Sequence, residues 1–480
     1  MEQPHQKKVP HVLIFPLPAQ GHINSMLNLA QLLCLAEFHV TFLNSHHNHD
    51  RLLQCTDLGS EAAHWPRFRF ATISDGLPPE HPRSVDFLID LHDSLKANAK
   101  PLFREMLISD RRSDDPITCI IADGIMTFTI DVANELAIPI FAFRTISACS
   151  FWSYFCIPKI IQAGELPFKD DADMEHAITC VPGMENILRR CDLPSFCRAK
   201  QLTDPFLQFV QSETLNSVRA SALILNTFED LEGPTLSQIR AHFPTTYTIG
   251  PLHSLLKTRL TDSTESTHKD SSSSSLWKED RTCMTWLDSQ PSDSVLYVSF
   301  GSFAVVTRSE LLEFWHGLVN SQTRFLWVIR PDLVNGKGDM GHIPGELLEA
   351  TNERGCLVEW APQQEVLTHH AVGGFLTHSG WNSTLESVFA GVPMICWPFF
   401  ADQQINSRFV GHVWRVGLDM KDRCDRRTVE MLVREMMYEN VELRKRAAKM
   451  ADLAKKCVSR GGSSYMNMER LIEDIRGMSL

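Results

Sequence analysis

The stretch HVLIFPLPAQGHINSMLNLAQLLCLAEFHVTFL, residues 11–43, decides the fold. Val12-Leu13-Ile14-Phe15 is an apolar run of strand length. From Ile23 to Ala36, the residues Met26, Leu27, Ala30, Leu33 and Leu35 recur close to helical spacing, and Val40-Thr41-Phe42-Leu43 is a second strand. Strand, helix, strand is a βαβ unit, which implies a parallel sheet covered on both faces. Working outward, the same rhythm predicts strands at Phe68–Ile73, Thr118–Ala122, Ile140–Phe143 and Ala222–Leu225. It fails at Thr261–Ser275, TDSTESTHKDSSSSS, which reads as a linker or surface loop. It resumes with strands at Val295–Phe300, Phe325–Ile329, Leu357–Glu359, Gly374–Thr377 and Met394–Trp397, and a helical tail from Arg426. Two doubly wound α/β domains are therefore expected, over 1–252 and 281–480, joined by a Ser-rich segment over 253–280.

Composition narrows the function. A chain of 480 residues is too long for one core. Hydrophobic residues at 43% and charged residues at 22% are the balance of a soluble globular protein. Asp plus Glu outnumber Lys plus Arg by 58 to 46, a formal charge of −12, which argues against a nucleic-acid surface. A small anion held by a local site is not excluded. Thirteen Cys contain no CxxC pair, so neither a zinc ribbon nor a dithiol motif is present. Their odd count and wide spacing read as free thiols in a reducing compartment. The apolar run His11–Leu17 is too short for a signal-peptide core, and no stretch nears the ~20 residues of a membrane span. A monomer in the cytoplasm, without a membrane span or a nucleic-acid partner, is the expectation.

Ligands of open α/β sheets bind beyond the carboxyl ends of the strands. His22 follows the first strand at a loop-to-helix junction, and Asp123 follows the strand Thr118–Ala122. Singly, each reads as a cap or a satisfied polar group. Together they make a general base and its orienting carboxylate, provided their strands are neighbours. A denser cluster, Thr377-His378-Ser379-Gly380-Trp381-Asn382-Ser383, follows a strand and opens a helix that Gly391 and Pro393 should stop. Free N–H groups and the helix dipole make such an N-terminus an anion site. Ser383 and Glu386 also fit a Ser-x-x-Glu capping box. That would leave His378, Gly380, Trp381 and Asn382 unexplained.

Two strings are decoys. Gly336-Lys337-Gly338-Asp339-Met340-Gly341 matches GxGxxG, but does not lie between a strand and a helix as a dinucleotide site requires. It reads as a surface loop, which weighs against a nicotinamide oxidoreductase. His46-His47-Asn48-His49 lacks a helical i, i+4 His pair or a nearby Cys, so it reads as a polar loop and no metal site is expected.

From Trp360 to Gln403 the sequence resembles the signature box of plant family 1 UDP-glycosyltransferases. Trp360, Pro362, Gln363, Leu367, His369, Gly374, Phe375, His378, Gly380 through Ser383, Glu386, Gly391 through Pro393, Pro398, Asp402 and Gln403 all match. The start at Pro16–Ala30, the turn Phe300-Gly301-Ser302 and the segment Asn226-Thr227-Phe228 fit as well. Ser379 stands where Cys is commoner. The run through Phe409 looks most like the subgroup that glucosylates iridoids.

The resemblance implies the GT-B fold, two Rossmann-like domains facing a cleft, with the acceptor held by the first and the UDP-sugar by the second. It implies that Trp360 stacks on uracil, Gln363 reaches the ribose and Glu386 takes both ribose hydroxyls. His378, Asn382, Ser383 and Ser302 would hold the diphosphate, with Ala361 and Trp381 in the same donor set. Asp402, Gln403 and Thr145 would meet the sugar, and Gln403 goes with glucose over galactose as a family tendency. Phe151, Trp152, Phe196, Phe206 and Phe400 are acceptor-site candidates; as aromatics they can equally be core. The implied reaction is inverting, metal-independent transfer of glucose from UDP-glucose, a co-substrate, to a hydroxyl or carboxyl oxygen of a small lipophilic acceptor. An iridoid or terpenoid such as 7-deoxyloganetic acid is expected, with a phenolic or flavonoid as the alternative. The rival class is a non-catalytic nucleotide-sugar binder; His22 and Asp123 weigh against it.

Overall fold

His11 to Phe15 are all buried, as befits a strand covered on both faces. In the computed structural model, which describes residues 9–56, 65–84, 87–169, 173–262, 275–334 and 345–478, they form β1. With β2 (His39–Ser45), β3 (Phe68–Ile73), β4 (Cys119–Asp123), β5 (Ile140–Arg144), β6 (Ala222–Leu225) and β7 (Thr246–Thr248) they make a parallel sheet. Its order is β3-β2-β1-β4-β5-β6-β7. The order reverses between β1 and β4, which run side by side with Phe15 next to Ala122.

A second parallel sheet has the order β10-β9-β8-β11-β12-β13. Its strands are β8 (Val295–Ser299), β9 (Arg324–Val328), β10 (Gly355–Val358), β11 (Val372–Thr377), β12 (Met394–Cys396) and β13 (Gly417–Asp419). Here the reversal lies between β8 and β11, where Ser299 pairs with Thr377. Phe300, Phe314, Trp315, Trp327 and Trp397 fill the core on this sheet. Strands β7 and β13 escaped the sequence reading because three residues carry no measurable period.

Each sheet anchors a compact unit, and neither unit is contiguous, which corrects the expected division into 1–252 and 281–480. The first unit comprises the chain up to Pro158, Gln201–Trp277 and the chain from Lys456. Its last helix, Ser463–Gly477, lies against β7. Asn467 Nδ2 donates to Thr248 Oγ1 (2.9 Å), Arg470 to the Thr246 carbonyl (2.5 Å) and Tyr247 Oη to Asp474. The expected linker begins as a helix, Leu252–Asp262, with Leu252, Leu255 and Leu256 buried; residues 263–274 lie outside the described residues. The second unit takes Lys159–Lys200 as well as Lys278–Lys455. The fully buried Asp192 ties that excursion down through Arg189 Nε (2.8 Å) and Lys421 Nζ (2.9 Å).

The run His46–His49 is helical, which corrects the loop expected there. Ser45 accepts from the Asn48 N–H at 3.2 Å and caps the helix His46–Cys55. Among the described residues no group of three or more His, Cys, Asp or Glu side chains is arranged to hold a metal ion. The GxGxxG string, Gly336–Gly341, lies outside the described residues.

Candidate active site

The adjacency of β1 and β4 brings His22 and Asp123 together. His22 lies in the first turn of the helix Gln20–Leu35, and Asp123 is the last residue of β4. His22 Nδ1 donates to Asp123 Oδ2 across 2.5 Å. That oxygen also accepts from the Leu17 N–H (3.3 Å), while Oδ1 accepts from the Ile125 N–H (3.2 Å). Asp123 is 2% exposed and the His22 side chain 23%. Burial would raise the Asp123 carboxyl. The charge and hydrogen bond of His22, with Arg144 behind, more than offset this and hold it below the usual carboxylate range. Asp123 therefore stays ionised and orients the imidazole through Nδ1, which leaves Nε2 as the ring nitrogen not bonded to the carboxylate. Thr145, just beyond β5, places Oγ1 3.0 Å from His22 Nδ1 and 3.5 Å from Nε2.

In the second unit, β11 leads into His378 and the helix Trp381–Ala390. Gly380 is the N-cap, with no side-chain capping bond, so the alternative reading of Ser383 and Glu386 as a capping box fails. Both side chains turn instead to the helix Gln363–Thr368. Gln363 Nε2 donates to Ser383 Oγ (2.9 Å) and Glu386 Oε2 (2.7 Å), and Gln364 Nε2 donates to Glu386 Oε1 (3.1 Å). Burial raises the Glu386 carboxyl to about 6, against the pull of the two amides. The helix stops at Gly391, whose left-handed φ of 77° suits glycine.

His378 lies beside the turn after β8, where Ser302 sits. A Cβ on Gly301 would fall 2.4 Å from His378 Cε1, and one on Gly380 would fall 2.4 Å from its Nε2. Only glycines on both sides leave room for the ring. Burial, reinforced by Arg330, pushes the imidazole down to about 4, so near neutral pH it offers a hydrogen bond and not a charge. Asn382 follows at the helix start, half-buried. Asp402 Oδ2 accepts from Asn406 Nδ2 (2.7 Å), and Gln403 Oε1 accepts from the Phe399 and Phe400 N–H groups at 2.8 Å each. The Gln403 amide is thereby aimed by its backbone contacts. Trp360 is half-buried, whereas Ala361 and Trp381 are each 3% exposed. The Trp381 ring packs towards Trp414.

The proposed acceptor aromatics divide. Phe151 and Trp152 are 0% and 2% exposed. Their helix packs inward, Phe151 against Phe243 and Trp152 against Phe155 and His242. Phe196 is buried too, at 6% exposed. Phe206, in the first unit, and Phe400, in the second, keep exposed surface. Arg330, Gln364 and Asn406, which the sequence reading did not single out, bond to the Ser302 carbonyl, Glu386 and Asp402. Arg330 follows β9 by two residues, so the rule that found Asp123, polar residues at strand carboxyl ends, points to it also.

Two parallel doubly wound units, each with a polar cluster at its switch point, are the architecture of GT-B glycosyltransferases. The family model for UDP-glucoronosyl and UDP-glucosyl transferase matches residues 206–444. A 7-deoxyloganetic acid glucosyltransferase of Catharanthus roseus is 56% identical over 98% of both chains. A myricetin 3-O-rhamnoside 1,2-glucosyltransferase of Crocosmia x crocosmiiflora is 48% identical over 98% of this chain and 96% of its own. The structure is similar to that of a UDP-glucose: anthocyanidin 3-O-glucosyltransferase in complex with UDP, with TM-score 0.82 and 26% identity. That match covers 98% of this chain and 100% of the other. Os79 from O. sativa in complex with UDP matches at TM-score 0.80 and 27% identity, over 97% and 100% of the two chains. The chain belongs to the UDP-glucoronosyl and UDP-glucosyl transferase family and is a UDP-glycosyltransferase enzyme with the GT-B fold. Among the described residues no helix is long and apolar enough to cross a membrane.

Proposed function

We propose that the protein transfers glucose from UDP-glucose to an oxygen of an iridoid acid, 7-deoxyloganetic acid or a close analogue, with inversion to the β-glucoside. The observation that carries this reading is the 56% identity, over 98% of both chains, to a 7-deoxyloganetic acid glucosyltransferase. It is supported by the His22–Asp123 pair at the switch point of the first sheet. His22 Nε2 accepts the acceptor proton as that oxygen bonds to the anomeric carbon. The bond from carbon to phosphate oxygen breaks, and its electron pair leaves with UDP. Asp123 stabilises the imidazolium without taking the proton. On the donor side, Trp360 stacks on uracil and Gln363 and Glu386 take the ribose. Ser302, His378, Asn382, Ser383 and the helix N-terminus receive the diphosphate charge in place of a metal ion. Asp402 and Gln403 meet the sugar with Thr145. The thirteen free thiols suit the reducing cytoplasm, where the enzyme acts as a monomer.

A flavonoid glycoside is the second acceptor reading, favoured by the 48% identity to the myricetin 3-O-rhamnoside enzyme. The test incubates the protein with UDP-glucose and, in separate vessels, 7-deoxyloganetic acid, 7-deoxyloganetin and myricetin 3-O-rhamnoside, each with and without EDTA. Products are identified by mass and anomeric coupling. A β-glucoside of the iridoid acid, formed equally with chelator, is expected. Exclusive turnover of the flavonoid would replace the iridoid reading, and an α-linked product would refute the single displacement.

A further inference from the structure

Arg330 is 3% exposed, an uncommon place for a guanidinium. It follows β9, the neighbour of β8, and reaches across to the turn that leaves β8. Its Nη1 donates to the Ser302 carbonyl and its Nη2 to the Ala304 carbonyl at 2.5 Å. Two backbone carbonyls on one planar fork hold a turn in a way that a single-point cation cannot. The held turn is the one whose Gly301 abuts the His378 ring. Asp332, the acid beside Arg330, stands 3.6 Å from Nη1 and is 58% exposed, so water screens it. The positive charge is thus fixed in a dry setting next to Ser302 and His378, and it already depresses the His378 imidazole.

We infer that Arg330 is a positioning residue for the donor site, holding the Ser302 turn against His378 and supplying buried positive potential where the diphosphate of UDP collects charge. The inference rests on the reading that the diphosphate binds at this turn and at the helix N-terminus Trp381–Ala390. A neutral His378 brings one N–H donor but no charge, so the cation that balances a leaving diphosphate has to come from another group. Arg330 lies on the neighbouring strand end and meets that need without leaving the protein interior.

The test is calorimetric binding of UDP and of uridine to the full chain and to Arg330→Met and Arg330→Lys. Charge-assisted contacts are worth enough that Arg330→Met should weaken UDP roughly ten-fold or more. Uridine, which lacks the diphosphate, should bind within about two-fold of wild type, a split that general loosening of the fold would not produce. Arg330→Lys keeps the charge but cannot span both carbonyls, so its UDP affinity should fall between the two. Should Arg330→Met not fold, the Lys variant carries the test, and wild-type UDP affinity in it overturns the inference. Equal weakening of UDP and uridine in Arg330→Met also overturns it. Failure of the wild-type chain to bind UDP more tightly than uridine would overturn the diphosphate reading together with this one.

Discussion

In its proposed role Glu386 accepts two ribose hydroxyls, which requires the ionised carboxylate, and burial lifts its carboxyl to about 6. The sign follows directly: as pH falls through that value the carboxylate gains a proton, loses an acceptor, and donor affinity drops. His378 stays neutral until about 4 and does not mask the effect. Calorimetric Kd values for uridine, which keeps the ribose but has no phosphate to titrate, should therefore worsen on the acid side of about 6. Glu386→Gln should bind uridine weakly and with a flat profile; a profile as steep as wild type would assign the titration elsewhere. The acid–base pair gives a second prediction at this scale. His22→Ala should lower turnover by roughly 10²–10⁴-fold, the worth of a positioned base, with the Michaelis constant for UDP-glucose nearly unchanged. Asp123→Asn should also cut turnover substantially, because the wrong tautomer is then favoured. Retention of more than about a tenth of wild-type turnover in His22→Ala would show that another group takes the proton.

At the scale of elements, the proposed donor site depends on two turns closing on one ring. Gly301 has φ +70° and its absent Cβ leaves space for His378, whose other side is bounded by Gly380. Gly301→Ala adds a strained backbone and a steric conflict, which together cost about 1–3 kcal/mol. The variant should unfold at lower temperature and bind UDP more weakly than wild type; wild-type UDP binding by calorimetry would mean that the ring can move aside. The helix Trp381–Ala390 is largely legible in the sequence. Its start after a strand and its stop at Gly391 are local events, set by chain geometry within a few residues. The partners of Ser383 and Glu386 are not legible there, since Gln363 and Gln364 reach them from a different helix.

At the scale of the whole molecule, the chain crosses between its two units more than once. The closing helix Ser463–Gly477 returns to the first sheet and lies against β7 through Tyr247, Arg470 and Asn467. Tyr247→Phe and Asp474→Ala should each destabilise the protein by about 1 kcal/mol, a typical net hydrogen bond. Because the two groups share one bond, the double variant should lose clearly less than the sum. Denaturant unfolding of the four proteins reads this coupling, and strict additivity would mean that the helix docks without the bond.

Periodicity and turn chemistry report what a few neighbouring residues do. The buried strand runs, the helical spacing from Ile23 to Ala36, the stop at Gly391 and the cluster from His378 to Ser383 are all written at that range, and the amino-acid order alone determines them. Strand order belongs to another level. His22 and Asp123 are 101 positions apart, and only the pairing of β1 with β4 brings them into one hydrogen bond. The same holds for Phe151 and Trp152, whose composition suits a pocket wall or a core equally and whose burial is settled by the helix packing over them. It holds for Arg330, an ordinary arginine in sequence that reaches the Ser302 turn because β9 lies beside β8. Local conformation follows from short-range sterics and hydrogen bonding, which the sequence carries within each window. Neighbourhood follows from how all the apolar faces are buried at once, and that is determined only when the whole chain has folded.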